Sequence, residues 1–435
     1  MNFSVPVDQK ADNPARKLGF IATLGMLITV CGVLPEILYS LLHGANLYLL
    51  YILTPPALVA VLLSGGLERA YRSRAAWYWT AFFVWMLISL PFSTWRGDSF
   101  NDVYNYIRVQ MPLLIVVAGL ATTWKEIRTM CFVLAFSGFL SLLFSRFFAT
   151  EDNGRLTLGA VSTTIGNSND LAQHLAMLLP FILFVVVDRG PNVAIRFITF
   201  MPLIIYGVWV ILGTASRGGL LALVAMFLYM LFRASNTQRM LAMVLGVVMV
   251  VALPAILPDN ARVRLMTLVG GAEHEEAKES QESRAYLFRK SIDYTLQHPI
   301  LGVGPGQFPN YEGRQSIEQG KLGNWHATHC SWTQISSECG IPALLFMILG
   351  IGSAIAGVNS VYKQARMQGF KEIETTCFCY MTSMVGLIVA LTFLANAYRS
   401  YLPIMVGMAI AINRVAKQHM ASNPQPVAVP AFAFR

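Results

Sequence analysis

Two of the side chains best suited to chemistry stand late in the chain. His326-Ala327-Thr328-His329 sets two imidazoles three residues apart. Histidine is the side chain best placed to take a proton near neutral pH. At i and i+3 the pair could also share a helical face, where zinc binding would be an option. No cysteine or carboxylate cluster stands nearby to complete three ligands, so a metal is not expected. A lone histidine is more often structural, yet His329 lies about one turn before an apolar run, at the depth where a lipid-linked head group would sit.

Arginines supply the second theme. Arg217 stands in Gly213-Thr214-Ala215-Ser216-Arg217-Gly218-Gly219, a short turn between two apolar runs. A guanidinium at the edge of hydrocarbon costs several kcal/mol unless it snorkels, pairs or binds an anion. Its planar fork suits phosphate oxygens, and flanking glycines permit close backbone approach. A snorkelling anchor is the plainer alternative. Arg284 opens an amphipathic stretch, with Arg289 and Lys290 a turn further on. Gly302-Val303-Gly304-Pro305-Gly306 lacks the spacing of a dinucleotide fingerprint and reads as a turn after His298-Pro299. In Gly166-Asn167-Ser168-Asn169-Asp170, Asn169 or Asp170 is expected to cap a helix, with a substrate contact as the second option.

The elements that must position these groups follow from composition. Only 13% of the 435 residues are Asp, Glu, Lys or Arg and 55% are hydrophobic, against about 25% charged in an average globular protein. A soluble globular enzyme, a disordered chain and a disulfide-stapled module are thereby excluded. Cys31, Cys131, Cys330, Cys339, Cys377 and Cys379 show no CxxC spacing and read as packing residues. Because lipid offers no partners to backbone polar groups, a span needs about 20 mostly apolar residues. About twelve such runs occur, near 18–38, 46–65, 76–93, 106–122, 127–148, 170–187, 194–214, 218–233, 239–257, 341–361, 373–395 and 398–415. Pro55 and Pro56 predict a kink in the second. No cleavable signal is expected, since the leading residues are polar-rich and no small-residue cleavage site follows the first run.

Short-loop charge sets the expected orientation. One alternate set of loops holds Lys10, Arg16, Lys17, Arg69, Arg72, Arg74, Lys125, Arg128, Arg189, Arg196, Arg233, Arg239, Lys363, Arg366, Lys371, Arg414, Lys417 and Arg435. The other holds only Arg96, Arg108, Arg146, Arg155, Arg217 and Arg399. By the positive-inside rule the first set and both termini are cytoplasmic. The chain then divides into an N-terminal membrane bundle (1–257), a long outer loop (258–340), C-terminal membrane helices (341–418) and a cytoplasmic tail (419–435). Within the loop, Ala285, Phe288, Ile292 and Leu296 recur at helical steps, as in an amphipathic helix lying on the membrane or on the bundle. The acidic stretch Glu273 to Glu282 lacks aromatics and is expected to be mobile.

Several of these pieces occur together, in order. Ser216-Arg217-Gly218-Gly219 opens a span, and Ser283-Arg284-Ala285-Tyr286 leads into His298-Pro299-Ile300-Leu301-Gly302-Val303-Gly304-Pro305-Gly306-Gln307-Phe308. His329-Cys330-Ser331-Trp332 and Glu338-Cys339-Gly340-Ile341-Pro342 follow. The chain thus resembles the O-antigen ligase and O-antigen polymerase superfamily of bacterial inner-membrane glycosyltransferases, as does Asn167-Ser168-Asn169-Asp170-Leu171-Ala172.

The resemblance implies an all-α polytopic membrane protein of the C-type glycosyltransferase fold, with about twelve spans and a large periplasmic catalytic loop. It implies a metal-independent, cofactor-free transfer of a glycan from undecaprenyl diphosphate, with inversion, to a lipid A core sugar or a protein hydroxyl. His329 would be the general base, and Arg217 and Arg284 would bind the diphosphate. His326, Arg289 and Asn169 are further candidate substrate contacts. The family usually has Asn directly after the histidine, where this chain has Cys330. A polymerase joining repeat units on the same carrier is the alternative, and a lipid-glycan flippase would place more charge within the spans.

Overall fold

The computed structural model describes residues 13–42, 47–159, 165–188, 192–234, 239–240, 243, 275–323 and 325–424. The expected ninth span (239–257), the basic Lys10, Arg189 and Arg435, and most of the C-terminal tail lie wholly or largely outside these residues. Among the described residues the chain is almost entirely helical. In order run α1 (Pro14–Cys31), α2 (Leu34–Leu41), α3 (Leu49–Leu63), α4 (Gly66–Tyr71), α5 (Arg74–Ser89), α6 (Arg96–Asn105), α7 (Met111–Leu120) and α8 (Trp124–Phe148). The hairpin β1 (Thr150–Asp152) and β2 (Arg155–Thr157) follows, then α9 (Ser168–Val187), α10 (Val193–Gly213) and α11 (Arg217–Arg233). Later come α12 (Glu275–Gln297), α13 (Phe308–Glu318), α14 (Ser331–Gln368), α15 (Lys371–Leu391) and α16 (Tyr401–Ser422).

Eight helical stretches among the described residues are long and apolar enough to cross a membrane. The 15-residue α3, which runs through Pro55 and Pro56, and the 17-residue α11 are shorter. The expected first span divides at Gly32-Val33, where Val33 adopts φ 46°, giving the separate α1 and α2. All six cysteines are free and buried. Helix α9 is the hub, buried on almost every side and packed by α8, α10, α11 and α15; beyond its polar first two turns it is apolar all round, as a helix without a solvent or lipid face must be.

Contacts sort the loops onto two ends. At one, Arg16 donates to Leu120 O (2.9 Å) and pairs with Glu126 (2.7 Å), and Arg69 donates to Gly119 O (2.8 Å). There too Arg128 pairs with Asp188 (2.5 Å), and Arg414 donates to Ala121 O. These are arginines of the basic loop set. At the other end Thr94 N donates to Val303 O (3.0 Å), and Ser400 Oγ donates to Gln110 Oε1 (2.7 Å).

The outer segment is helical through most of its described length. The acidic run is helical from Glu275 onward, in keeping with the helix propensity of Glu, Ala and Lys. On α12 the residues turned toward protein are Leu287, Ser291 and Tyr294, whereas Phe288, Ile292 and Leu296 are exposed. Glu312 of α13 ties the segment together: Tyr286 OH donates to its Oε1 (2.8 Å) and Tyr294 OH to its Oε2. Burial, reinforced by that carboxylate, raises the pKa of both phenols. Between α12 and α13 the glycine run is a turn, as read from sequence. Gly304 (φ 117°) and Gly306 (φ 72°) sit so close to Ser93 and Asp102 that a Cβ would overlap those side chains. The turn is held by Glu338, whose carboxylate accepts from Gly306 N (3.0 Å) and Phe308 N (3.3 Å).

Candidate active site

Arg217 is the first residue of α11. Ser216 caps this helix, its Oγ accepting from Gly219 N at 3.2 Å, after a turn in which Ala215 takes φ 46°. The two glycines matter as contacts. A Cβ on Gly218 would sit 2.8 Å from Phe393 Cβ, and one on Gly219 2.7 Å from Ala172 Cβ. The N-terminus of α11 is therefore wedged between α9 and the turn after α15, with Arg217 half-buried above it.

Asn169 is not the cap of α9. The cap is Asn167, two residues earlier, whose Oδ1 accepts from Asn169 N (2.9 Å) and Asp170 N (3.0 Å). That frees the Asn169 amide to accept from Arg155 Nη2 at 2.8 Å, while Arg155 Nε donates to Thr214 O at 2.9 Å. Arg155, counted from sequence only as a loop charge, so bridges the start of α9 and the turn that presents Arg217.

From α9 a buried polar chain leads toward the histidine. Asn396 Nδ2 donates to Asp170 Oδ1 and to Gln173 Oε1, both at 2.7 Å. Its backbone N–H donates to Ser331 Oγ (3.0 Å), which itself donates to Leu394 O (2.5 Å). Ser331 opens α14, two residues after His329. Sequence alone gives no sign of Asn396, which sits in a short turn after an apolar helix, nor of the bond that ties it to Ser331.

The histidine pair is not on a helix: residues 325–330 are irregular, and His329 adopts φ 55°. The two imidazoles therefore do not share a helical face. His326 is exposed and His329 half-buried. Burial, then the positive charge of Arg284, then His326 push the His329 imidazole down from 6.5 to about 4. Arg284 therefore lies within electrostatic reach of His329, carried there by α12, which packs on α14 through Thr295 Oγ1 and Ser336 Oγ at 2.8 Å. Arg289 sits five residues on, about 140° further round the helix, and is exposed. Lys290 stands over the rings of Tyr286 (5.7 Å) and Tyr294 (5.9 Å).

Chemically, this end of the bundle offers a neutral imidazole beside one guanidinium, with a second guanidinium on a helix bonded into the same framework. Such a set can take a proton and hold a polyanion. No curated protein sequence matches the chain. Residues 202–348, from α10 into α14, do match the model of the O-antigen ligase family, and that stretch contains Arg217, Arg284 and His329. With its apolar helices the chain is a multi-pass membrane protein, and about a third of it, from α10 into α14, is similar to the O-antigen ligase family.

Proposed function

We propose that this protein is a glycosyltransferase of the ligase kind, moving a glycan from undecaprenyl diphosphate to an acceptor hydroxyl at the periplasmic face of the inner membrane. The acceptor is a lipid A core sugar or a protein side chain. In this proposal the bundle has about twelve spans in a C-type arrangement, with both termini cytoplasmic. One observation carries the reading. The charge of Arg284 acts on a half-buried His329, and the segment holding His329 is hydrogen-bonded through Ser331 and Asn396 to the framework that presents Arg217.

The step is a single displacement. His329 takes the proton of the acceptor hydroxyl as its oxygen attacks the anomeric carbon. The bond from that carbon to the diphosphate oxygen breaks on the opposite face, so the configuration inverts. Negative charge collects on the departing diphosphate, where Arg217 and Arg284 stabilise it. No nucleotide is consumed, because the diphosphate linkage already stores the driving force. Arg155 positions rather than reacts, fixing the turn before Arg217 against Asn169.

Deletion in the native bacterium followed by gel analysis of surface polysaccharide tests the assignment. Accumulated long lipid-linked chains support a ligase, single capped units indicate a polymerase, and an unchanged pattern refutes both. His329→Ala should abolish transfer in membranes. Arg217→Lys keeps the charge but loses the fork, and should raise the KM for the donor at least about tenfold. Normal kinetics there would return Arg217 to the role of an anchor.

A further inference from the structure

Helix α12 presents three faces. Taking Phe288 as zero on a helical projection, Ile292 and Leu296 fall at about 40° and 80°, since four residues advance about 40° beyond a full turn. All three are exposed, at 42%, 39% and 70%. Arg289, at about 100°, and Asp293, at about 140°, are exposed and polar. Leu287, Ser291 and Tyr294 fill the arc from about −60° to −120° and are buried against protein. A helix resting on a soluble body needs two faces, one buried and one polar. The third face, apolar and uncovered, has a different solvent.

The surroundings say which. Beyond Leu296 the stripe continues through Ile300, which is 61% exposed and whose carbonyl accepts from Trp85 Nε1 at 3.1 Å. Trp85 belongs to α5, a candidate span. The adjoining Pro299 O accepts from Ile341 N at 2.8 Å. Ile341 and Leu345 are exposed, at 39% and 52%, and begin the outward face of another candidate span. The stripe is thus continuous with the surface that the spanning helices turn to lipid. From this we infer that α12 lies in the membrane interface on the His329 side of the bundle, with Phe288, Ile292 and Leu296 in the acyl layer.

The placement has a consequence for Arg284, which rests on the transfer reading above. At about −40° it stands between the lipid-facing stripe and the protein-facing arc. Its guanidinium is therefore held at the seam where a lipid-borne diphosphate arrives laterally from the bilayer. Arg289, on the far edge of the stripe, faces the head-group water instead.

Depth measurement on the full-length protein in phospholipid nanodiscs tests the inference. Spin labels on cysteines introduced singly at 288, 292, 296, 289 and 293 are compared for collision with oxygen, which concentrates in acyl chains, and with a water-soluble nickel chelate. Labels at 288, 292 and 296 should favour oxygen, and those at 289 and 293 the chelate. Equal chelate access at all five positions overturns the inference. So does a label-to-label distance under about 20 Å between copies at 296, which would make the covering partner a second chain. Because all six native cysteines are buried, maleimide labelling of the same variants in intact membranes, read against the native protein, gives an independent check: 293 should react rapidly and 292 slowly. Neither readout depends on turnover, so failure of the transfer reading would leave the depth result standing, and the reverse holds too.

Discussion

The depressed basicity of His329 makes the pH dependence of transfer informative. The imidazole is held at about 4 against an ordinary 6.5, chiefly by burial and next by Arg284. At pH 5.5 an ordinary histidine is about 90% protonated, whereas one at 4 is about 3% protonated. If the neutral ring is the base, kcat/KM for the donor, measured in proteoliposomes, should stay flat from pH 7 to about 5 and fall only near 4. Replacing Arg284 by Gln removes the second cause, so the acid limb should move upward while staying below 6.5, because burial persists. On the proposed reading the profile of kcat should break at a higher pH than that of kcat/KM, since a bound diphosphate would offset the Arg284 charge beside the ring. An acid limb near 6.5 in both the native enzyme and Arg284→Gln would refute the geometry. Folding should follow the same sign: the unfolded chain binds the proton at 6.5 and the native state only near 4. The native state is therefore favoured fully above pH 6.5 and progressively less as the pH falls toward 4.

Two substitutions test the framework. Asn396→Ala strands the buried Asp170 Oδ1 and Gln173 Oε1, and should cost about 1–3 kcal/mol in thermal unfolding. Donor KM should change little and kcat should fall, because the residue positions the His329 segment without touching substrate. Gly306→Ala would place a Cβ 1.7 Å from Asp102 Oδ2 at φ 72°, whereas Gly320 has the same φ with nothing within 4 Å. Gly320→Ala should therefore cost only about 1–2 kcal/mol of backbone strain, and Gly306→Ala clearly more, read as the difference in their Tm.

Much of the architecture was legible because lipid imposes a simple rule: backbone polar groups must be satisfied within a helix. Arg16, Arg69, Arg128 and Arg414 all meet at one end, as alternation of basic loops implied. What periodicity could not give was facing. Phe288, Ile292 and Leu296 mark a helix unambiguously, but only the packing of Tyr294 and Leu287 shows which side protein occupies. The i, i+3 spacing of His326 and His329 was likewise compatible with a helical face. The left-handed backbone at His329 removes it, a conformation that side-chain types do not announce. Asn396 was invisible for a related reason. Its partners, Asp170 and Ser331, lie far off in the chain, and a hydrogen bond across such a separation leaves no local pattern.

Cys330 is the position where this chain departs from the pattern of the family it resembles, and its setting shows what an Asn there could add. Cys330 is the N-cap of α14, at φ −148° and ψ 117°, and its side chain makes no capping bond. Asn is among the best residues for that place, because its Oδ1 reaches the amide two or three residues on. The strain of φ 55° at His329 is held by other groups. Thr328 Oγ1 donates to Cys330 O (2.9 Å) and accepts from Cys330 N (3.3 Å), and Ser331 is fixed by Leu394 and Asn396. An amide at 330 is therefore not needed to orient the imidazole. Cys330→Asn should restore a cap to Thr333 N or Trp332 N and stabilise the protein by about 0.5–1 kcal/mol. Turnover and its pH profile should stay unchanged. A tenfold gain in kcat without a gain in Tm would mean that the amide acts on the histidine or the substrate, and the capping account would fail.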